Sequence, residues 1–204
     1  IKGLWTNTVS MTTRNGSTTY TVAAGRGTYV GSIAMDGTNG QLSCLTAYGQ
    51  SRKWGVWNAY NRVPIILKAG DSTASWNYNN VTVRQSNGAA GNTLQVFAGL
   101  PEEIFEIDFC QVGNQCVSSS ASTSIYVGWN STTAGSGKAG YVHNEQNVAS
   151  ASIRNEMVAR YINVPSLGIN NVNCLESTPT AGGAANQVFF GGEDDMLMTA
   201  RWNG

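Results

Sequence analysis

Residues 52–66 read RKWGVWNAYNRVPII, with two tryptophans, a tyrosine and a short apolar run between polar, turn-rich segments. Trp54 and Val56 share one parity of the stretch, and Trp57 has the other. Because successive side chains of a strand point to opposite faces, both faces would carry a large aromatic ring. Strands covered on both faces belong in the middle of a sandwich or at a subunit interface. The stretch is therefore predicted to be largely buried, with Pro64 at a strand start or an edge.

On both sides of this stretch the chain predicts strands, with turn signals about every ten residues, as in an all-β sandwich or jelly roll. Asn15-Gly16 is the strongest short turn signal and predicts a hairpin. A second hairpin turn is predicted over 111–115. Only residues 149–159 have the composition of a short helix. With no linker and no shift in composition, residues 1–204 are predicted to form a single β-sandwich or jelly-roll-like domain.

The composition is that of a neutral, folded protein. Of the 204 residues, 41% are hydrophobic and only 12% are charged, which is the opposite of a disordered chain. Twelve Lys and Arg balance twelve Asp and Glu, so nothing attracts the chain to nucleic acid or anionic lipid. A surface of Asn, Ser and Thr predicts neutral partners or identical subunits. No apolar run approaches the roughly 18 residues of a membrane span, and no membrane insertion is predicted.

The four cysteines are Cys44, Cys110, Cys116 and Cys174. Only Cys110 and Cys116 are close in sequence, and a disulfide between them is geometrically possible for one loop length of the predicted hairpin. No Cys-x-x-Cys pair occurs. We therefore favour free, mostly buried thiols and folding in a reducing compartment.

Catalytic and metal-binding motifs are mostly missing from the sequence. His143 is the only histidine. The sequence shows neither the further ligands of a zinc site nor the serine motif of a Ser-His-Asp triad in a recognisable pattern. The turn at 192–195 carries three carboxylates without the spacing of a calcium loop. No catalytic residue, metal or cofactor is predicted.

Two carboxylates keep an enzymatic alternative open. Glu106 and Asp108 fall on one face of a predicted strand, where they resemble a glycosidase pair. Phe105, Ile107 and Phe109 alternate with them. That alternation more simply indicates a half-buried strand with a solvated face.

Aromatic side chains support the same alternative, a carbohydrate-binding module or glycan hydrolase. Trp76, Tyr78 and Trp129 are the candidate sugar platforms. A ring exposed in a shallow groove beside paired carboxylates would favour sugar binding. Burial of the same rings at a three-fold interface would favour a structural protein.

Six short motifs follow one another along nearly the whole chain: YTVAAGRGTYVGSI at 20–33, WNAYNRV at 57–63, SWNY at 75–78, NSTTA at 130–134, ARYINVPSLG at 159–168 and LE at 175–176. Their order resembles a family of tailed-bacteriophage and prophage virion proteins. The segment from Cys110 to Cys116 has no counterpart in that resemblance.

The resemblance implies a β-sandwich in a capsid-attached or tail-attached fibre, spike or decoration protein. Such a protein would fold in the host cytoplasm, assemble as a homotrimer with other virion proteins, and contribute to attachment to host-surface glycans. The resemblance implies no catalytic residues.

Overall fold

The structure is a computed structural model that describes residues 5–38, 41–117, 121–144, 151–180 and 187–204. Apart from one 3-10 turn at Ser86–Gly88, the regular elements in these ranges are strands. The all-β prediction is therefore confirmed. The strands are β1 (Met11–Asn15), β2 (Thr18–Val22), β3 (Gly31–Ile33), β4 (Cys44–Leu45), β5 (Arg52–Trp54), β6 (Val56–Asn58), β7 (Pro64–Ala69), β8 (Ser75–Asn77), β9 (Arg84–Gln85), β10 (Thr93–Ala98), β11 (Phe105–Val117), β12 (Ala121–Trp129), β13 (Ser136–Asn144), β14 (Ala151–Asn163), β15 (Gly168–Thr180), β16 (Gln187–Phe190) and β17 (Met196–Asn203).

Thirteen of these strands form one sheet in the order β4-β5-β10-β15-β12-β13-β14-β11-β16-β8, with β9 beside β15 and β17 between β11 and β7. Strands β13 and β14 are joined by one backbone pair, Lys138 and Arg160. We call the strands up to β13, with β9, the first half, and the strands from β14 onward, with β17 and β7, the second half. Cys174 of the first half lies 3.7 Å from Met198 of the second, sulfur to sulfur. The two halves thus face each other across one core, as in a sandwich.

Alternating apolar residues build that core. Phe105, Ile107 and Phe109 of β11 are fully buried, while Glu106 is exposed and Asp108 is half-buried. Each such side chain contributes about 1.5–3 kcal/mol through its removal from water. The predicted alternation is confirmed. No helix in the described part of the chain is long and apolar enough to span a membrane.

The stretch at 52–66 is buried only in part. Trp57 is 1% exposed and Ile65 belongs to the same core cluster. Pro64 begins β7, as predicted. The side chain of Asn58, however, accepts hydrogen bonds from two following backbone N–H groups, which turns the chain outward. Tyr60 is consequently 46% exposed, and Ile66 of β7 is 51% exposed. The prediction of a largely buried stretch is therefore confirmed for Trp57 and Ile65 and wrong for the stretch as a whole.

The predicted hairpin at 111–115 is wrong, because β11 continues through it. The backbone of Cys110 lies opposite Val158 and that of Cys116 opposite Ser152, both on β14. Six extended residues span about 20 Å, far beyond the Cα separation of a disulfide. Cys110 is a free thiol. Of the described thiols only Cys174 is buried, and Cys44 is exposed, so the expectation of mostly buried thiols is not met.

Glycine at 113 serves packing in this strand. A Cβ there would lie 2.7 Å from the Met157 Cε. Gly113, which predicted a turn, instead leaves space for the side chain of the neighbouring methionine. Pairing with β14 along the full strand, and with β17 and β16 on the other side, overrides the local turn preference of Gly-Asn.

Two further segments differ from expectation. The part of the predicted helix at 149–159 that the structure describes, from Ala151 on, is the first portion of β14. Strand β15 has no predicted counterpart, yet it lies between β10 and β12 in the middle of the first half. Its buried side chains are largely polar, which removes the hydrophobic alternation that marks a strand: Asn170, Asn173, Glu176, Ser177 and Thr178.

Candidate functional site

Trp76 and Tyr78 lie together at the edge of the second half. Trp76 stacks on Phe189 of β16, with ring centroids 6.3 Å apart and planes 13° apart. The Arg84 guanidinium carbon lies 3.6 Å from the ring centroid of Tyr78, a cation–π contact. Both aromatic side chains are half-buried, and each has one ring face covered by the protein.

Both rings are linked to a fully buried carboxylate, Glu176 of β15, Trp76 directly and Tyr78 through Arg84. It accepts hydrogen bonds from Trp76 Nε1 (2.8 Å), from Arg84 Nε and Nη2 (3.0 and 2.8 Å), and from the Asn87 backbone N–H (3.1 Å). Burial raises the pKa of Glu176 to about 7, even though these donors favour the charged form. Because no substrate reaches a fully buried carboxyl, we assign Glu176 to holding strand β8 and the 84–88 turn against β15.

A second buried carboxylate, Asp71, is joined to the first through Asn87. The Asn87 side chain donates to Asp71 Oδ2 (3.2 Å) while its backbone N–H donates to Glu176. Gln50 and Asn92 donate to the same oxygen, each at 3.0 Å. Burial alone would raise the pKa of Asp71, but hydrogen bonds from Thr73, Asn92 and Asn87 outweigh it and lower the pKa.

This network was not predicted from the sequence. Its members come from β15, from the chain after β7 and from the loop around 87, so no local spacing connects them. Asn87, which joins the two carboxylates, has a positive φ of 58°, unusual for a residue other than glycine.

Trp129 belongs to a different aromatic cluster. Its ring lies 6.1 Å from that of Phe105, edge to face, and 5.7 Å from that of Tyr161. Phe105 in turn contacts Trp202 at 5.0 Å. The structure therefore groups Trp76 with Tyr78 but not with Trp129. That the three rings are sugar platforms stays a prediction.

The pair Glu106 and Asp108 faces outward as expected, beside arginines. Asp108 accepts from Arg160 Nε at 2.7 Å and lies 3.5 Å from Arg201 Nη1. The four side chains line a small cavity of about 120 Å³. Each oxygen of the Asp108 carboxylate faces its own guanidinium group, which suits a solvated ion cluster better than a glycosidase pair open to substrate.

The turn at 192–195 is also an ion-paired surface feature. Arg154 binds both oxygens of Asp195 at 2.8 Å, and Lys68 lies 3.1 Å from Glu193. No cluster of His, Cys, Asp and Glu in the described part of the chain could hold a metal ion. The side chain of His143 lies outside what the structure describes.

The first quarter of the chain has a property that the rest does not share. We call residues 5–54 the N-terminal segment. Of those whose side chains the structure describes, none is buried. The segment nevertheless carries nine large apolar side chains that are at least 44% exposed: Trp5, Val9, Met11, Tyr20, Val30, Ile33, Met35, Leu42 and Leu45.

Backbone pairing, rather than a core of its own, gives this segment its shape. The hairpin β1–β2 turns at Gly16, whose φ of 61° fits the predicted Asn-Gly turn. Strand β3 pairs with β6, beside the buried Trp57. Between the hairpin and the chain at Gly99 lies a mostly apolar cavity of about 430 Å³, which Trp5 and Met11 help to line.

No protein-family model and no curated protein matches the chain. The resemblance to phage virion proteins therefore stays a hypothesis, and function must be inferred from the geometry above.

Proposed function

We propose that this chain is a non-enzymatic structural protein of a bacteriophage virion, a fibre, spike or decoration component that works as a homotrimer and contributes to host attachment. The observation that carries the self-association is the N-terminal segment, which exposes nine large apolar side chains and buries none of those described. Ordering a chain costs conformational entropy that only burial repays. Exposed apolar side chains that lie together, as Trp5, Met11 and Val30 do around one cavity, mark contacts with other proteins.

Identical subunits fit this surface better than a charged partner does. The chain has no net charge, and the cores of subunit interfaces are poor in charged residues and rich in aromatic side chains. Closed cyclic symmetry would let each N-terminal segment cover its neighbour. The choice of three subunits, and of a virion as the assembly, rests on the resemblance in the order of the sequence motifs.

Sedimentation at micromolar concentration is expected to give one species of three times 21.6 kDa. Changing Val30 and Ile33 together to Asp should release monomers, because charges at side chains 66% and 59% exposed would be buried unpaired in the interface. Circular dichroism should remain that of a β-protein.

Val81→Asp is the matched control. Its side chain is 60% exposed but lies outside the N-terminal segment, so the trimer should persist. A stable wild-type monomer would contradict self-association, whereas a dimer would contradict only the three-fold symmetry.

The absence of catalysis is a separate prediction. The ion pairs of Asp108 and the burial of Glu176 leave neither carboxylate suited to act on a substrate. Changing His143 to Ala and Glu106 to Gln together should leave attachment to host cells unchanged, measured as protein bound per cell. Sugar release from host-surface glycans by the wild type, lost in this double variant, would show that the chain is an enzyme.

A further inference from the structure

A second surface, on the outer face of the first half, consists almost wholly of amide and hydroxyl side chains. On adjacent strands Thr93 lies opposite Asn173, and Gln95 lies opposite Asn171. Together with Gln85 and the loop that follows β12, these residues line a groove of about 560 Å³. Every lining residue is Asn, Gln, Ser or Thr except one Ala, so the groove carries no formal charge. We call it the amide groove.

Hydrogen bonds hold the floor of the amide groove in one arrangement. Gln95 Nε2 donates to Asn171 Oδ1 at 3.0 Å, and Gln85 Nε2 donates to Asn173 Oδ1 at 3.1 Å. The loop is fixed to the same floor, because the Asn171 backbone N–H donates to Asn130 Oδ1 at 2.7 Å. The amide dipoles are therefore ordered before any ligand arrives, which reduces the entropic cost of binding.

The same amides keep hydrogen-bonding capacity in reserve. Among the described residues, Gln95 Oε1 and Asn171 Nδ2 have no hydrogen-bond partner. One is an acceptor and the other a donor, and they belong to side chains that are already bonded to each other. A ligand group able to both donate and accept would match this pair.

Apolar side chains adjoin the floor of the amide groove. Phe97 and Ile169 are opposite each other at the next outward position of the two strands. Together with Gln95 they line an adjoining cavity of about 200 Å³. Lys53 and Asp36 also line that cavity, and their opposite charges leave the groove and the cavity together without net charge.

We infer that this face binds a neutral oligosaccharide, with sugar hydroxyls in the amide groove and an apolar sugar face against Phe97 and Ile169. A hydroxyl group both donates and accepts, as the spare groups of Gln95 and Asn171 require. An anionic ligand would find no excess of cations there. The amide groove, unlike the adjoining cavity, is lined only by residues outside the N-terminal segment, so sugar binding in the groove and the proposed self-association can fail independently.

The test uses the full chain on a printed array of neutral, sialylated and phosphorylated oligosaccharides, followed by calorimetry with the neutral oligosaccharide that binds best. Changing Gln95 and Asn171 together to Ala removes both partners of one hydrogen bond and leaves neither unpaired. The affinity should fall about tenfold, because a ligand loses at least one hydrogen bond to each amide. Asn203→Ala, an exposed amide at the end of β17, is the control and should bind as the wild type does.

Binding of neutral oligosaccharides by the wild type, weakened or lost in the double variant, would support the site. It would be overturned by no neutral binding at millimolar concentration, by binding of the anionic sugars only, or by an unchanged affinity in the double variant. The sedimentation of the double variant should equal that of the wild type. This measurement separates a lost sugar site from a lost fold or assembly.

Discussion

Replacing Trp57 with alanine is expected to lower the free energy of unfolding by about 3–5 kcal/mol. The side chain is 1% exposed and belongs to the main core cluster. Gly99 packs so closely against it that a Cβ there would lie 2.5 Å from Trp57 Cδ1, and the Arg62 guanidinium carbon lies 5.1 Å from its ring centroid. Neighbours packed this tightly do not collapse fully into the space that the ring leaves, so a cavity term adds to the lost transfer free energy.

Chemical denaturation at a fixed protein concentration measures this loss, because the apparent stability of an oligomer depends on concentration. Tyr60→Ala is the matched control within the same stretch. That ring is 46% exposed, and its removal should cost less than about 1 kcal/mol. A similarly small cost for Trp57→Ala would show that the ring is not part of the core.

The second large effect is a dependence of the free energy of unfolding on pH, caused by Glu176. Relative to the Glu176→Gln variant, the wild type should lose about 3 kcal/mol of unfolding free energy as the pH rises from 4.5 to 7. The pKa of this carboxyl is raised by burial from 4.5 to about 7. Below pH 4.5 both the folded and the unfolded chain hold the proton. As the pH rises through the window the unfolded chain releases it first, so the unfolded state gains stability and the folded state does not.

The informative quantity is the difference in unfolding free energy between the wild type and Glu176→Gln at each pH, because the contributions of groups common to both proteins cancel. The effect of Asp71 on the free energy of unfolding has the opposite sign and falls in a more acidic pH range. Its lowered pKa contributes stability that is lost only as the pH falls through the acidic range below the window. Glu193→Gln, which makes the same chemical change at an exposed ion pair with Lys68, is the matched control. Parallel curves for the wild type and Glu176→Gln would mean that Glu176 stays ionised throughout.

Local patterns were sufficient for several parts of the fold. The strict alternation at 105–109 predicted a half-buried strand, and each apolar member is buried. Asn15-Gly16 predicted the β1–β2 hairpin. Both patterns act over fewer than ten residues, so the properties of the chain nearby are enough to decide them.

Patterns failed where distant strands supplied the stabilising contacts. Gly113 reads as a turn, but pairing of β11 with β14 and β17 holds it extended. Strand β15 lacks an apolar alternation, because Asn173 and Glu176 are buried with polar partners from other parts of the chain. A polar residue reads as exposed until those partners are known.

The candidate sites follow the same division. Trp76 and Tyr78 were recognisable as aromatic neighbours, but the buried carboxylate that Trp76 binds lies 100 residues away from it in sequence. The amide groove likewise needs β10 beside β15, a pairing that no motif indicates.

By itself, the sequence determined that the protein is all-β, that its surface is neutral and that 15–16 is a turn, because composition and near-neighbour alternation are properties of the chain alone. Only the tertiary structure decided which carboxylates are buried, which amides share a groove and which apolar side chains remain exposed. Burial and hydrogen-bond satisfaction depend on partners brought together from distant positions, and they have no local trace in the chain.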